Sequence, residues 1–215
     1  MHIPNGSSSD SDILSFENAL SLGGKSSSYN AAKWIYVPDF YTEYRYILGT
    51  RGMDPLICIG INPSTAEPEN LDNTLKSVSR IAAGNGFDSW IMFNVYAQRA
   101  TRPDDMDKTL NPELHSENMK AFRYILSNVG EGVSPCIWAA WGAIIEKRFY
   151  LSGCVREMIQ IGREYNARWV SAGKISVKGH PHHPLYLPKD EKIADFDISG
   201  YLDKLEARSE RGIRK

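Results

Sequence analysis

Three short apolar runs constrain this chain more than any other feature: Pro55–Ile61 (PLICIGI), Ser89–Val95 (SWIMFNV) and Cys136–Trp141 (CIWAAW). Each has the length of a strand and is apolar at nearly every position, as a strand covered on both faces must be. The segments between them have helical spacing. Leu71, Leu75, Val78 and Ala82 fall on one helix face, with Asp72 at the start and Asn85-Gly86 as the stop. Asn111-Pro112 opens a second helix as a cap followed by a first-turn proline, and Met119, Phe122, Leu126 and Val129 continue it. Gly142 leads into further helical segments toward Tyr150 and around Val155–Ile161, and Arg168–Ser171 reads as a fourth strand. Strands alternating with helices imply parallel pairing through right-handed crossovers. The expected fold is therefore α/β: a three-layer α/β/α sandwich with a central parallel four-stranded sheet.

The flanks differ from this core. Residues 1–33 are rich in Ser and Gly and read as a flexible arm with one short helix at Ile13–Leu22. Trp34–Val37 and Tyr41–Leu48 read as an aromatic β-hairpin. Residues 34–205 are expected to form a single domain that closes on a helix around Ile198–Arg208, and 206–215 read as a charged, solvated tail. Ser64 to Glu67 matches the S-x-x-E capping pattern, although Pro68 keeps any helix there brief.

Bulk properties narrow the function. The chain has 25 Lys+Arg against 26 Asp+Glu, so no global basic field advertises nucleic acid, while a local basic face remains open. Cys58 and Cys136 sit inside apolar runs and Cys154 stands apart, which points to buried free thiols, a reducing compartment and a cytoplasmic location. There is no apolar run long enough to span a membrane and no secretory signal. Neither a G-x-G-x-x-G nor a Walker loop appears, so no cofactor is expected. A G-x-S-x-G elbow is also absent. His180, His182 and His183 are close in sequence, but no C-x-x-C or H-E-x-x-H pattern supplies further ligands, and no metal is expected.

The chemistry-bearing residues gather where the strands end. Gly60–Ala66 (GINPSTA) and Phe93–Ala100 (FNVYAQRA) follow two of the apolar runs, and His180–Leu187 (HPHHPLYL) is a proline-locked histidine loop. Open α/β sheets bind ligands beyond the carboxyl ends of their strands. Asn94 carries one acceptor and two donors, enough to read the edge of a base, or else to tie down a neighbouring loop. Tyr96 suits either base stacking or core packing. Ser64 and Thr65, after Pro63, suit a phosphate at a helix start or local caps. Arg99, with Arg102 and Lys108, forms either a phosphate-facing lip or a solvated run. Asp72 is both the nearest acid and a helix N-cap.

Two resemblances sharpen this. Pro63-Ser64-Thr65-Ala66, Asp72 with Thr74, Arg99-Ala100-Thr101, Trp141-Gly142 and His183-Pro184-Leu185-Tyr186 resemble, in order, an uncharacterised family of bacterial and phage proteins known only as a domain of unknown function. The likeness runs from about Tyr44 to Leu187.

More distantly, Gly60-Ile61-Asn62-Pro63 is similar to the first motif of the mismatch-type branch of the uracil-DNA glycosylase superfamily. Ile91–Val95, Trp138–Gly142 and His180–Leu185 are similar to later elements of that superfamily. The resemblance implies a glycosylase-like fold in which Asn62 positions the attacking water and Asn94 reads the base. It also implies that either His180 or His183 holds the leaving base, with Trp141 among the substrate contacts. The serine between the prolines of that superfamily's histidine loop is replaced here.

Breaking an N-glycosidic bond needs a donor aimed at the base oxygen and a group that places water on the sugar. Asn62 can orient water but is a poor base. The implied partner is a nucleobase, nucleotide or DNA. The alternatives are a non-catalytic binding module, or an enzyme on a small metabolite with the N-terminal arm as its lid.

Overall fold

In the computed structural model, residues 1–5, 13–24, 28–185 and 187–213 are described. Residues 6–12 and 25–27 of the N-terminal arm, Tyr186 of the histidine loop, and Arg214 and Lys215 lie outside the described residues. The strands are β1 (Trp34–Val37), β2 (Ile47–Thr50), β3 (Pro55–Gly60), β4 (Ser89–Asn94), β5 (Cys136–Ala139), β6 (Arg168–Ala172) and β7 (Ile193–Asp195). They form one sheet in the order β1-β2-β4-β3-β5-β6-β7. The inner strands pair in parallel, β3 with both β4 and β5, and β5 with β6. The outer pairs are antiparallel.

The sheet is therefore mixed and seven-stranded rather than four-stranded. The aromatic hairpin, with its second strand at Ile47–Thr50, pairs onto β4 and extends one edge. The three-residue β7 extends the other. Only Ile193 of β7 is even partly buried, so the strand leaves no hydrophobic pattern to read.

The two faces of the sheet are covered separately. Ile57 and Ile59 of β3 join one core cluster, while Leu56 and Cys58 join the other, as a period of two demands. Helix α2 (Asn73–Gly84) packs Leu75, Val78, Ile81 and Ala82 on the Leu56 face. Helices α1 (Phe16–Ser21), α3 (Pro112–Ser127), α4 (Phe149–Glu164) and α5 (Ile198–Ile213) cover the Ile57 face. Asp72 caps α2 by accepting from Leu75 N at 2.9 Å, and Asn111 caps α3 by accepting from Leu114 N at 3.0 Å. Residues 64–70 form a turn with a Glu67–Asn70 bridge, so the Ser64–Glu67 pattern starts no helix. Pro68 at its fifth residue forbids the next backbone bond a helix would need.

Part of the N-terminal arm is docked. Phe16 is buried, and its N–H donates to Glu117 at 2.6 Å. His2 N donates to Thr101 Oγ1, its carbonyl accepts from Thr101 N, and its ring contacts Tyr41 and Glu43. Cys58, Cys136 and Cys154 are free and buried, and burial raises all three thiols, Cys136 to about 11 and Cys154 to about 12. No helix among the described residues is long and apolar enough to cross a membrane.

The connections decide where a ligand can sit. From the end of β3 the chain leaves to the α2 face. From the ends of its neighbours β4 and β5 it leaves to the opposite face, through α3 and α4. Loops that diverge in this way open a crevice above the carboxyl end of β3.

Candidate functional site

A cleft of about 250 Å³ occupies that crevice. Gly60 and Asn62 line it from the end of β3, and Asn94 from the end of β4. Asp72 and Thr74 contribute from the start of α2, Ala100 and Thr101 from the following loop, and His183 and Leu185 from the histidine loop. Three segments far apart in sequence thus meet at one place.

A larger hollow, about 510 Å³, runs along Asp104–Pro112 beside Pro4. Its acidic groups are already engaged: Asp104 with Lys147, Asp105 with Arg102, and Asp107 with Tyr96 and Gln98. The smaller cleft is lined by two residues, Arg45 and Asn94, with buried polar atoms that are unpartnered among the described residues.

Asn94 is the clearest of these. It is 1% exposed, yet among the described residues neither its Nδ2 nor its Oδ1 has a hydrogen-bond partner. A buried amide left unpaired is costly, and native proteins rarely tolerate it without a reason. Its backbone carbonyl is held by Asn118 Nδ2 at 3.0 Å, so the strand end is fixed while the side chain stays unbonded. Gly60 lies beside it in the parallel register. A Cβ at Gly60 would come within 2.5 Å of Met92 Cε and 3.1 Å of Asn94 Oδ1. The glycine therefore keeps the space next to the amide open.

Asn62 uses its Nδ2 to close the loop, donating to Ala100 O at 2.7 Å and Pro63 O at 3.0 Å. Its amide is thereby locked in orientation. Pro63 is buried, and its carbonyl also accepts from Ala100 N. Ser64 lines the cleft, whereas Thr65 does not.

His183 is the histidine that reaches the cleft. Its Nδ1 accepts from Leu185 N at 3.2 Å, which places the proton of the neutral ring on Nε2. Burial, then His182, holds its basicity below the ordinary value, with Asp72 acting in the opposite sense. The ring is thus a neutral N–H donor at pH 7. His180 is fully buried elsewhere, between Tyr201 Oη at 3.1 Å and Glu146 Oε1 at 3.0 Å. Lys178, and next to it His180, holds the Glu146 carboxyl below its usual range. His182 is exposed and contacts the His183 carbonyl. The three histidines therefore diverge, and no cluster of three or more metal-ligating side chains occurs among the described residues.

Two further candidates stand in the core. Tyr96 is buried, donates to Asp107 at 2.8 Å and packs on Tyr150, so it offers no face for stacking. Trp141 is buried on the Ile57 face, donates to Tyr201 at 2.9 Å and does not line the cleft.

Arg99 is not a solvated lip. It is wholly buried, donates to the Ser64 and Ala66 carbonyls and to Tyr36 Oη, and stacks on Tyr41 at 4.2 Å. Arg102, by contrast, is exposed and pairs with Asp105.

Arg45, which sequence reasoning passed over, lies against Arg99 and lines the cleft. Residues 43–45 pair with 97–99 through Arg45 N to Ala97 O and Arg99 N to Glu43 O, and this brings the two arginines together. Burial first, and Arg99 second, push the Arg45 guanidinium down to about 9. The available signal was a charged residue set between Tyr44 and Tyr46 in an otherwise aromatic segment.

Asp72 holds two positions at once. One oxygen caps α2, and the residue lines the cleft with His183, on which its charge acts. Replacing Asp72 with Ala is expected to lower stability by about 1 kcal/mol through loss of the cap. Asp72→Asn keeps a capping oxygen and should remain within a few tenths of a kcal/mol of the parent. Urea denaturation of both variants checks this, and Asp72→Asn then isolates the charge from the cap.

The fold and cleft define an α/β protein with a polar cleft at its strand ends. Residues 45–185 match the model of the family described as "Protein of unknown function (DUF1643)". The chain belongs to that family. Comparison with curated proteins and with solved structures returned no match.

Proposed function

We propose that the cleft recognises a nucleobase, in a nucleotide or in DNA, and that the protein hydrolyses the N-glycosidic bond of that base in the manner of the uracil-DNA glycosylase superfamily. The observation that carries this reading is Asn94: a buried amide with donor and acceptor both unpaired, facing a cleft at strand ends. The edge of a pyrimidine presents a matching acceptor and donor side by side. His183 supports the reading as a neutral donor across the cleft, suited to the oxygen on which the departing base gathers charge. Asn62 supports it as a locked amide whose Oδ1 has no protein partner among the described residues and can orient a water. Asp72 stands on the same cleft as the acid that can accept the proton of that water.

The second reading is a non-catalytic base-binding module. The work of Asn62 in closing the loop favours it, because that work needs no reaction. Base-release assays on single- and double-stranded DNA and on nucleotides, with uracil and other modified bases in parallel, separate the two. For the enzyme, Asn62→Ala should lower turnover roughly tenfold to a hundredfold while weakening base binding only a few-fold. For the module, no base is released and the substitution leaves affinity within a few-fold. Absence of both release and binding across the panel overturns both readings.

A further inference from the structure

The interior beside the cleft carries positive charge without a paired acid. Arg45 is 1% exposed and Arg99 is 0% exposed. Among the described residues neither is within ion-pair distance of a carboxylate, and each has a buried Nε with no hydrogen-bond partner. The protein bonds they do make run to neutral groups: the Ala66 and Ser64 carbonyls and Tyr36 Oη. Asp72 is the acid that acts on Arg45, from beyond ion-pair distance. A buried cation is ordinarily paired, because leaving it unpaired costs far more than a hydrogen bond returns.

Arg45 lines the cleft. The same cleft is lined by Thr74 in the first turn of α2, a 12-residue helix whose N–H groups favour an anion, and by Ser64. Arg45, Ser64, Thr74 and the start of α2 thus line one small volume together with Asp72, whose carboxylate caps that helix. That number of donors suits a tetrahedral group with several oxygens better than a planar carboxylate.

We infer that the cleft contains a phosphate subsite, with Arg45 as the counter-charge, Ser64 and Thr74 as hydroxyl donors, and Arg99 as a positioning residue that holds Arg45 and the 64–66 turn. This deepens the proposed function by requiring that the base arrive attached to a phosphate. The anion itself does not depend on base recognition. A free nucleotide and a DNA phosphodiester both supply that chemistry.

Inorganic phosphate added to the ligand-free full chain should raise the melting temperature in a saturable way, whether or not any base binds. Calorimetric titration should show a nucleoside monophosphate binding at least tenfold more tightly than its nucleoside. Arg45→Met should abolish the phosphate response and remove most of that tenfold difference. Arg45→Lys, which keeps the charge without the fork, should retain part of it. If Arg45→Met does not fold, the wild-type phosphate titration and the Arg45→Lys variant still decide the matter.

Tight binding to the monophosphate identifies a nucleotide as the source. Binding only to oligomers, falling steeply with salt, identifies the DNA backbone. A phosphate response without base binding would leave the subsite standing and overturn the base reading. Equal affinity for nucleoside and nucleotide, with no response to inorganic phosphate, would overturn the subsite.

Discussion

Replacing Asn94 with Ala should cost base affinity a factor of about 30–150, without loss of fold. The factor follows from the amide's position. Both of its polar atoms are buried and unpaired in the free protein, so a ligand gains their bonds without breaking protein ones. A buried polar group left without its partner costs about 1–3 kcal/mol, and the loss of two such bonds, at about 2–3 kcal/mol together, gives that range. The sign of the stability change follows from the same two atoms. Removing two unsatisfied atoms offsets the small cavity left by truncation, so the ligand-free melting temperature should be unchanged or slightly higher. An ordinary structural asparagine would behave oppositely, with stability falling and affinity little affected. Asn94→Asp removes the donor and keeps the acceptors, and should shift preference toward bases whose facing edge presents only donors. Calorimetric titration of the three proteins against one panel of bases and nucleosides checks each statement.

Replacing His183 with Ala should lower turnover about a hundredfold and change substrate affinity by less than about fivefold, because the donor matters most as the base oxygen gains charge. His183→Gln restores an N–H donor and should recover part of the loss. The pH dependence provides an independent check. Burial, with His182 adding to it, holds the His183 basicity down, and Leu185 N occupies Nδ1 as a donor. The neutral ring is the active form, so turnover attributable to His183 should stay level as pH falls through the ordinary histidine value of about 6.5 and decline only below it.

Stability follows the same group. Between the lowered native value and the unfolded value of about 6.5, the unfolded chain binds more protons than the native state. Stability therefore falls as pH drops through that window, and the fall should be smaller in His183→Ala. A rate that instead rises on acidification would require a cationic histidine and contradict this assignment.

Much of the scaffold was legible because its determinants are local. The runs Pro55–Ile61, Ser89–Val95, Cys136–Trp141 and Arg168–Ser171 became β3, β4, β5 and β6, since a strand covered on both faces is apolar throughout. Asp72 and Asn111 could be placed at helix starts because a cap acts on a residue three positions away. What escaped depends on partners distant in sequence. The loop sequence could not divide His180 from His183, because the division is made by Glu146 and Tyr201, which bury the first and leave the second at the cleft. Tyr96 follows Asn94 by two residues, yet Asp107 and Tyr150 hold it in the core. Arg45 was passed over because its meaning lies in Arg99, met only through the pairing of 43–45 with 97–99. The edge strand β7 lacks the buried face that would have announced it.

In the proposed function this cleft takes a base between Asn94 and His183. The most direct test is a crystal structure of the full chain soaked with free bases, nucleosides, nucleoside monophosphates and short DNA oligomers. The expected result is a base in the cleft with its edge on the Asn94 amide and an oxygen within hydrogen-bond distance of His183 Nε2. A base seated elsewhere, or a cleft that admits none of the panel at saturating concentration, would contradict it.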